Sequence, residues 1–144
     1  MSKREGLAYL AGYIDADGHI SLYFAKYKNC YCIEVSITAS RRDILEELEE
    51  IAGIKGYIWT RKNKKGAKRY CSSLKYDYQK ACKVLEMVQP YLRLKGAQAV
   101  LCIQVGLHRR RFPHGRGFNY NAYYDPRYEE MKRLNEGNKS DLIR

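Results

Sequence analysis

The sequence predicts an α+β fold in the order αββαββα, with an antiparallel sheet that carries helices on one face. Two observations support this prediction. Stretches in which apolar and polar residues alternate come in two pairs, which is the pattern of half-buried strands. Stretches with apolar residues at helical spacing lie before, between and after these pairs. We therefore expect a core domain over residues 1–108 and a basic C-terminal extension over residues 109–144.

The first αββ unit is predicted from capping and alternation. Ser2 and Glu5 have the spacing of a capping box, and apolar residues at helical spacing follow them. This pattern predicts a helix from Arg4 to about Asp15. Alternation then predicts strands over residues 19–27 and 31–38.

The second αββ unit follows the same logic. Ser40 and Asp43 are expected to cap a helix that ends at Gly53. Two further alternating stretches, Tyr57–Lys62 and Arg69–Tyr76, predict the second pair of strands.

The remaining helices are predicted from caps and breakers. Asp77 can cap a third helix that stops at Pro90, and a fourth helix runs from about Leu94 to Leu107. In the extension, Asp125-Pro126 can begin a short helix through Leu134. The extension is basic and poor in aliphatic residues, and contact with DNA, packing on the body and partial disorder are all open for it.

The charge of the chain favours a polyanionic partner. The 144 residues include 27 Lys and Arg against 16 Asp and Glu, which gives a net charge of +11. The segment 55–69 is rich in basic residues and lacks acids, whereas acids dominate the segment 43–50. One surface is therefore expected to be basic and another acidic. Charge alone does not separate DNA, RNA and anionic lipid as partners.

Several classes of protein fit the composition poorly. No apolar run approaches the length that spans a bilayer, and no signal peptide opens the chain, so we expect an intracellular protein of the cytoplasm, nucleoid or an organelle matrix with no membrane partner. The five Cys include no C-x-x-C pair, which argues against a disulfide scaffold and a zinc site.

One face of the predicted sheet is polar, aromatic and basic, while the other is apolar. A twisted antiparallel sheet can lie in a DNA major groove, where the edges of the base pairs are distinguishable. We therefore expect this polar face to bind double-stranded DNA. The candidate DNA-binding residues are Ser21, Tyr23, Tyr27, Glu34, Ser36, Thr38, Trp59, Arg61, Arg69 and Ser73.

The first helix carries two further signals. Asp15 and Asp17 lie near its C-terminus, where the helix dipole disfavours each carboxylate by roughly 0.3–1 kcal/mol, and a divalent cation would offset that cost. Ala8, Ala11 and Gly12 form a stripe of small side chains that would let a second helix approach closely. If that helix belongs to a second copy, two Asp17 side chains converge at a two-fold axis.

The string LAGYIDADG at Leu10–Gly18 resembles the LAGLIDADG signature of homing endonucleases, with Tyr13 in place of a leucine. The resemblance covers about residues 3–108. It implies a saddle-shaped antiparallel sheet with helices on its convex face, and cleavage of both strands of a long DNA site to leave short 3′ overhangs. It also implies Mg²⁺ (or Mn²⁺) bound by Asp17 and by the carbonyl of Ala16. The segment leading to Lys95 looks like the one that ends at the family's active-site lysine.

Two features of the resemblance depart from its simplest form. Many members carry a solvent-positioning glutamine after the second strand, where this chain has Ala39; Ser40, Arg41 and Arg42 are candidates to replace it, and Arg41 joins Asp17 and Lys95 as a candidate catalytic residue. The motif occurs once, which implies a homodimer and a pseudo-palindromic DNA site. The expected dimer interface comprises Ala8, Ala11, Gly12 and Asp15.

Two other functions of the same fold stay open at this point. An intron-encoded protein of this type can be a maturase that binds intron RNA, because a basic aromatic sheet can also hold RNA. A DNA-binding regulator without catalysis is the second alternative, although the presence of both Asp17 and Lys95 argues against it.

Overall fold

A computed structural model describes residues 1–27, 30–62, 70–112 and 120–142 of the chain. Its elements follow the predicted order αββαββα, with two more helices after it. They are α1 (Lys3–Asp17), β1 (Gly18–Ala25), β2 (Cys30–Ala39), α2 (Arg42–Ala52), β3 (Tyr57–Lys62), β4 (Tyr70–Asp77), α3 (Tyr78–Val88), α4 (Gly96–Arg111) and α5 (Tyr120–Leu142), with a short 3-10 turn at Gln89–Tyr91 between α3 and α4.

The four strands form one antiparallel sheet in the order β1-β2-β4-β3. Both hairpins are present, and the two C-terminal strands of the hairpins, β2 and β4, pair with each other at the centre. Helices α1 to α4 pack on the sheet. Their apolar stripes enclose the core with the apolar residues of the strands, including Ile20, Val35 and Leu74, which are almost wholly buried.

Helix α1 begins as predicted and ends later. Ser2 and Glu5 form the reciprocal capping box, with both backbone-to-side-chain bonds at 3.2 Å. The helix continues past the predicted end at Asp15, so Asp17 is its last residue and Gly18 is its C-cap. The chain therefore changes from helix to strand directly after Asp17, the second acid of the motif.

The predicted cap of α2 and the predicted end of β1 are wrong, whereas the predicted cap of α3 is right in its position only. Arg41, not Ser40 or Asp43, occupies the N-cap position of α2, and Asp43 instead pairs with the Arg41 guanidinium. Asp77 does occupy the N-cap of α3, but its side chain makes no capping hydrogen bond. Strand β1 ends at Ala25, so Tyr27 lies in the turn beyond it and is 81% exposed.

The extension packs on the body instead of forming only a short helix. Helix α5 begins at Tyr120, well before Asp125, and contains Pro126 within it. Its Tyr124 and Met131 are only 1% exposed because they pack into the core. Helix α4 extends to Arg111, so a domain boundary at residue 108 would fall inside a helix.

Several polar contacts fix α5 in place. The Tyr31 hydroxyl donates to the Asp125 carboxylate, and the Asn135 amide donates to the Ile20 carbonyl at 3.2 Å. The Tyr123 ring stacks on His108 with centroids 3.7 Å apart. The part of the extension in α5 is therefore bonded to both strands of the first hairpin.

The contact between α3 and α4 depends on a glycine. A Cβ on Gly106 would lie well inside van der Waals distance of the Cys82 sulfur. We expect Gly106→Ala to lower the free energy of unfolding by about 1–3 kcal/mol because the two helices must separate or strain. Urea titration followed by circular dichroism measures this loss.

The matched control is Gly137→Ala in α5, where a Cβ would meet nothing within 4 Å. Alanine has the higher helix propensity, so this control should leave stability unchanged or raise it by up to ~1 kcal/mol. Equal effects of the two substitutions would contradict the close packing of α3 on α4.

Candidate functional site

The C-terminal end of α1 is held by the segment that precedes α4. The Asp15 carboxylate accepts three backbone hydrogen bonds, from the amides of Arg93 at 2.8 Å, Leu94 at 3.1 Å and Lys95 at 3.0 Å. Bonds to a charged acceptor are roughly twice as strong as neutral ones. Asp15 therefore fixes the backbone of this segment against the end of the helix.

The Lys95 side chain in turn binds the C-terminal end of α1. Its ammonium donates to the carbonyls of Ile14 at 2.8 Å, Asp15 at 3.0 Å and Gly18 at 2.6 Å. A lysine ammonium has three N–H donors, so all three are used here. The positive charge lies at the negative end of the α1 dipole, which is the favourable placement.

The Lys95 ammonium is partly removed from water. Its burial lowers the pKa of Lys95 below the ordinary value, while the charges of Asp15 and Asp17 act in the opposite direction. Asp15 and Asp17 lie at the unfavourable end of the helix dipole. The Lys95 ammonium is a cation from the same chain that lies close to both of them.

Gly18 allows the strand to leave the helix at this point. Its backbone is extended, and a Cβ there would lie 2.7 Å from the carbonyl oxygen of Ile14. Any larger residue would push β1 away from the end of α1. The glycine of the motif is required by this close approach, and its own carbonyl is one of the three acceptors of Lys95.

Asp17 differs from Asp15 in being available to a ligand. Its side chain is exposed and makes no hydrogen bond or ion pair with any residue in the described part of the chain. The carbonyl of Ala16 is not among the three acceptors of Lys95. A carboxylate and a carbonyl suit a hard divalent cation, so the residues present fit a metal at this position.

One chain supplies few ligands for such a metal. No group of three His, Cys, Asp or Glu residues that could hold a metal ion occurs within the described ranges. Mg²⁺ usually keeps several waters and binds one or two carboxylates together with substrate phosphates. A site with a single exposed carboxylate is consistent with that coordination preference.

Strand register brings the end of β2 to the same edge of the sheet. Gly18 pairs with Ile37, so Thr38 and Ala39 extend past the first residue of β1, on the side of Asp17. The Thr38 hydroxyl lies 3.1 Å from that of Ser73. Arg41 follows, and its exposed guanidinium pairs with Asp43. Its candidate catalytic role therefore stays a prediction.

The predicted polar face of the sheet is assembled as alternation indicates. Cross-strand pairing places Ser21 opposite Glu34, Tyr23 opposite Cys32, and Trp59 opposite Ser73. The face comprises, among the candidates, Ser21, Tyr23, Glu34, Ser36, Thr38, Ser73, Trp59 and Arg61, while Arg69 lies outside the described residues. Their contact with DNA remains a prediction.

The polar face also carries a charged residue, Lys75, that is not among the candidates predicted from the sequence. Lys75 pairs with Glu34 at 3.3 Å and approaches Asp77 at 3.8 Å. Its burial acts to lower its pKa, but the two carboxylates outweigh this and hold the pKa of Lys75 above its ordinary value. Extending the alternation of β4 two residues beyond Ser73 would have placed Lys75 here.

The small-residue stripe of α1 has a different membership from the predicted one. Ala11 is 0% exposed and packs in the chain's own core, so it is not available to a second copy, which corrects the prediction. Ala8, Gly12 and Ala16 are exposed along one side of the helix. Asp15 is bonded within the chain to the 93–95 segment, and a role for it between chains stays a prediction.

The chain was compared with known proteins. A family model described as a LAGLIDADG-like domain matches residues 5–100. The DNA endonuclease I-CvuI from Chlorella vulgaris is 34% identical over an alignment of 105 residues, and the match covers 68% of this chain and 62% of that relative. The chain thus spans less than two thirds of that curated relative.

Solved structures give the same likeness. The homing endonuclease I-CvuI in complex with its target matches with a TM-score of 0.75 and 25% identity, over 92% of this chain and 83% of that one. The LAGLIDADG homing endonuclease I-GzeII in complex with a DNA target matches with a TM-score of 0.60 and 17% identity, over 81% of this chain and 40% of that one, which supports the fold alone. The fold class predicted from the sequence is confirmed. Among the described residues, no helix is long and apolar enough to cross a membrane.

The ammonium of Lys95 contributes to the stability of the fold as well as to the site. Lys95→Met keeps the length of the side chain but leaves three carbonyls without their charged donor. We expect the free energy of unfolding to fall by about 1–3 kcal/mol, measured by urea titration. Lys80→Met is the control, since the exposed Lys80 bonds one carbonyl, that of Lys55 at 2.9 Å. A control loss as large as that of Lys95→Met would contradict a specific role of the three bonds.

Proposed function

The chain belongs to the LAGLIDADG-like domain family, and on that premise we propose that it is a site-specific DNA endonuclease, dependent on a divalent metal and active as a homodimer. One observation carries the proposal. An exposed acid, Asp17, stands at the end of a helix beside a lysine ammonium that the chain holds in place. That pairing suits the hydrolysis of a phosphodiester, in which negative charge develops on phosphate oxygens.

Asp17 and the carbonyl of Ala16 would hold the metal, which we propose to be Mg²⁺ or Mn²⁺. When bound, such an ion polarises the phosphate and lowers the pKa of the attacking water. Lys95 acts from a fixed position, because its three donors are bound to the end of α1. Its charge stabilises the anionic transition state without a change in its own position.

The polar face of the sheet would bind double-stranded DNA in the major groove. Its aromatic and hydroxyl groups can contact base edges, and Arg61 is an exposed cation at the β3 edge that can contact phosphate or guanine. Lys75 would lie on the same face, with its charge partly neutralised by Glu34. The net charge of +11 supports binding to the DNA backbone.

The homodimer would form through the exposed side of α1. Ala8, Gly12 and Ala16 leave a shallow surface into which the same helix of a second copy can fit. The two Asp17 side chains would then lie near the two-fold axis, one for each DNA strand. This arrangement predicts a pseudo-palindromic target, and the resemblance to the family implies that cleavage leaves short 3′ overhangs.

The proposal is tested first at the metal ligand. We expect Asp17→Asn to lower the cleavage rate by roughly 10²–10³-fold, because the amide cannot supply the charge that a metal needs. Binding to DNA should remain within a few-fold of wild type. The target comes from selection on a randomised DNA library with Mg²⁺, followed by sequencing of the cut ends.

The matched control is Glu50→Gln, which removes the charge of an exposed carboxylate on α2, distant in sequence from the motif. Undiminished cleavage by the Asp17 variant would disprove the assignment of the metal ligand. A wild-type protein that cuts no DNA but binds intron RNA tightly would favour a maturase instead.

The dimer is tested at Gly12. A Cβ there meets nothing within 4 Å in the chain, so Gly12→Leu should fold normally as a monomer. In the proposed dimer the leucine would hold the two helices apart. We therefore expect sedimentation to report the monomer mass of 16.9 kDa for the variant, at concentrations where wild type sediments as a dimer.

Gly137→Leu is the control for an added leucine on an open helix surface, and it should sediment like wild type. An unchanged dimer in the Gly12 variant would show that this side of α1 does not form the interface.

A further inference from the structure

We propose that Asp15 is a positioning residue that fixes Lys95 at the end of α1. The inference rests on the proposed function, in which Lys95 acts on the reacting phosphate. The proposal gives the two acids of the motif different roles. Asp17 is exposed and would bind a ligand, whereas Asp15 acts through Lys95.

The Asp15 side chain binds the backbone of the segment that precedes α4. The carboxylate receives consecutive amides of residues 93–95, which is the segment that carries Lys95 out of the 3-10 turn. No other side-chain acceptor among the described residues bonds these three amides. The path of the backbone at Lys95 is thus set by one carboxylate.

The Lys95 side chain binds the end of α1 from the opposite direction. Lys95 bonds the carbonyl of Asp15 itself and those of Ile14 and Gly18 on either side of it. The backbone of the segment is bound by the Asp15 side chain, and the backbone of the helix end is bound by the Lys95 side chain. Each residue holds the main chain of the other, so a loss of either loosens both.

The contact between Asp15 and Lys95 joins two segments that are distant in sequence. Asp15 and Lys95 are 80 residues apart in sequence, yet they join two elements that both border the proposed metal ligand. Segment 92–95 is otherwise outside regular secondary structure. Leu92 packs against the core, but Arg93 and Leu94 are exposed. A displacement of about 1 Å at a reacting group can cost roughly 10²-fold in rate.

The first test needs no DNA. Arg93 and Lys95 are trypsin sites, and bound amides protect them from cleavage. We expect Asp15→Ala to speed tryptic cleavage after these residues by about 10-fold relative to wild type, with Glu50→Ala, an exposed acid on α2, behaving as wild type. Equal protection in the Asp15 variant would overturn the proposal, whatever the protein does to DNA.

The second test is a double-mutant cycle on the single-turnover cleavage rate at saturating protein. If Asp15 acts through Lys95, the Asp15→Ala/Lys95→Ala double variant should be no slower than Lys95→Ala alone, within about twofold. Multiplying losses would show that Asp15 acts independently and would overturn the positioning role. DNA affinity, measured separately by anisotropy in Ca²⁺, should stay within about twofold, so the effect appears in the rate alone.

Asp15→Asn guards against a variant that fails to fold, since its amide oxygen can still accept part of the bonding. We expect its cleavage rate and its protection from trypsin to lie between those of wild type and Asp15→Ala. A wild-type protein that cuts no DNA would refute the proposed function, and the trypsin comparison would still decide whether Asp15 holds the segment.

Discussion

The end of α1 is the point on which the functional arrangement of this protein depends. The carbonyls of Ile14, Asp15 and Gly18 lie at the negative end of the α1 dipole, close to two carboxylates. Without a cation, this concentration of negative charge would be unfavourable. The Lys95 ammonium binds all three, and the Asp15 carboxylate binds the backbone that carries Lys95. The strand, the helix and the segment before α4 therefore meet at a fixed geometry. Asp17 is left exposed at that meeting point because the bonding needs of its neighbours are met without it.

The sheet extends this fixed point into a surface. Gly18 is both the C-cap of α1 and the first residue of β1. The position of β1 in the sheet, and hence its pairing with β2, is therefore fixed relative to the motif. Each strand then sends its apolar residues to the helices and its polar residues to the opposite face. Charges on that face are partly paired within it, as Lys75 is with Glu34, which fixes the side chains before any ligand arrives. A surface with side chains already in place loses less conformational entropy when it binds.

The sequence predicts the fold well where the periodicity is strong and fails where a contact is long-range. The strand β3 and the capping box of Ser2 are located correctly, because alternation and capping are local properties. The bonds of Asp15 join residues 80 apart, and nothing in the local pattern of either segment indicates them. Small residues suit both a tight core and a tight interface, so the sequence alone predicts Ala11 on the surface stripe of α1. Its complete burial in the structure shows that it belongs to the core. The length of α5 was underestimated since Pro126 is typical of a helix start, whereas here tertiary packing of Tyr124 and Met131 overrides it.

Gly12 supports the proposal that the chain acts as half of a homodimer. A glycine within a helix costs about 1 kcal/mol relative to alanine, and such a cost usually reflects a close packing partner. No partner of that kind exists around Gly12 among the described residues, because a Cβ there would meet nothing within 4 Å. Gly106, by contrast, is fully explained by its contact with Cys82. The core of this chain therefore does not account for Gly12, and a helix from outside the chain would. Gly137 in α5 is equally open, so what distinguishes Gly12 is its place between Ala8 and Ala16 on one exposed side of α1. The same side of α1 ends beside Asp17, so the proposed assembly and the proposed chemistry are joined by one rigid helix rather than by a loop.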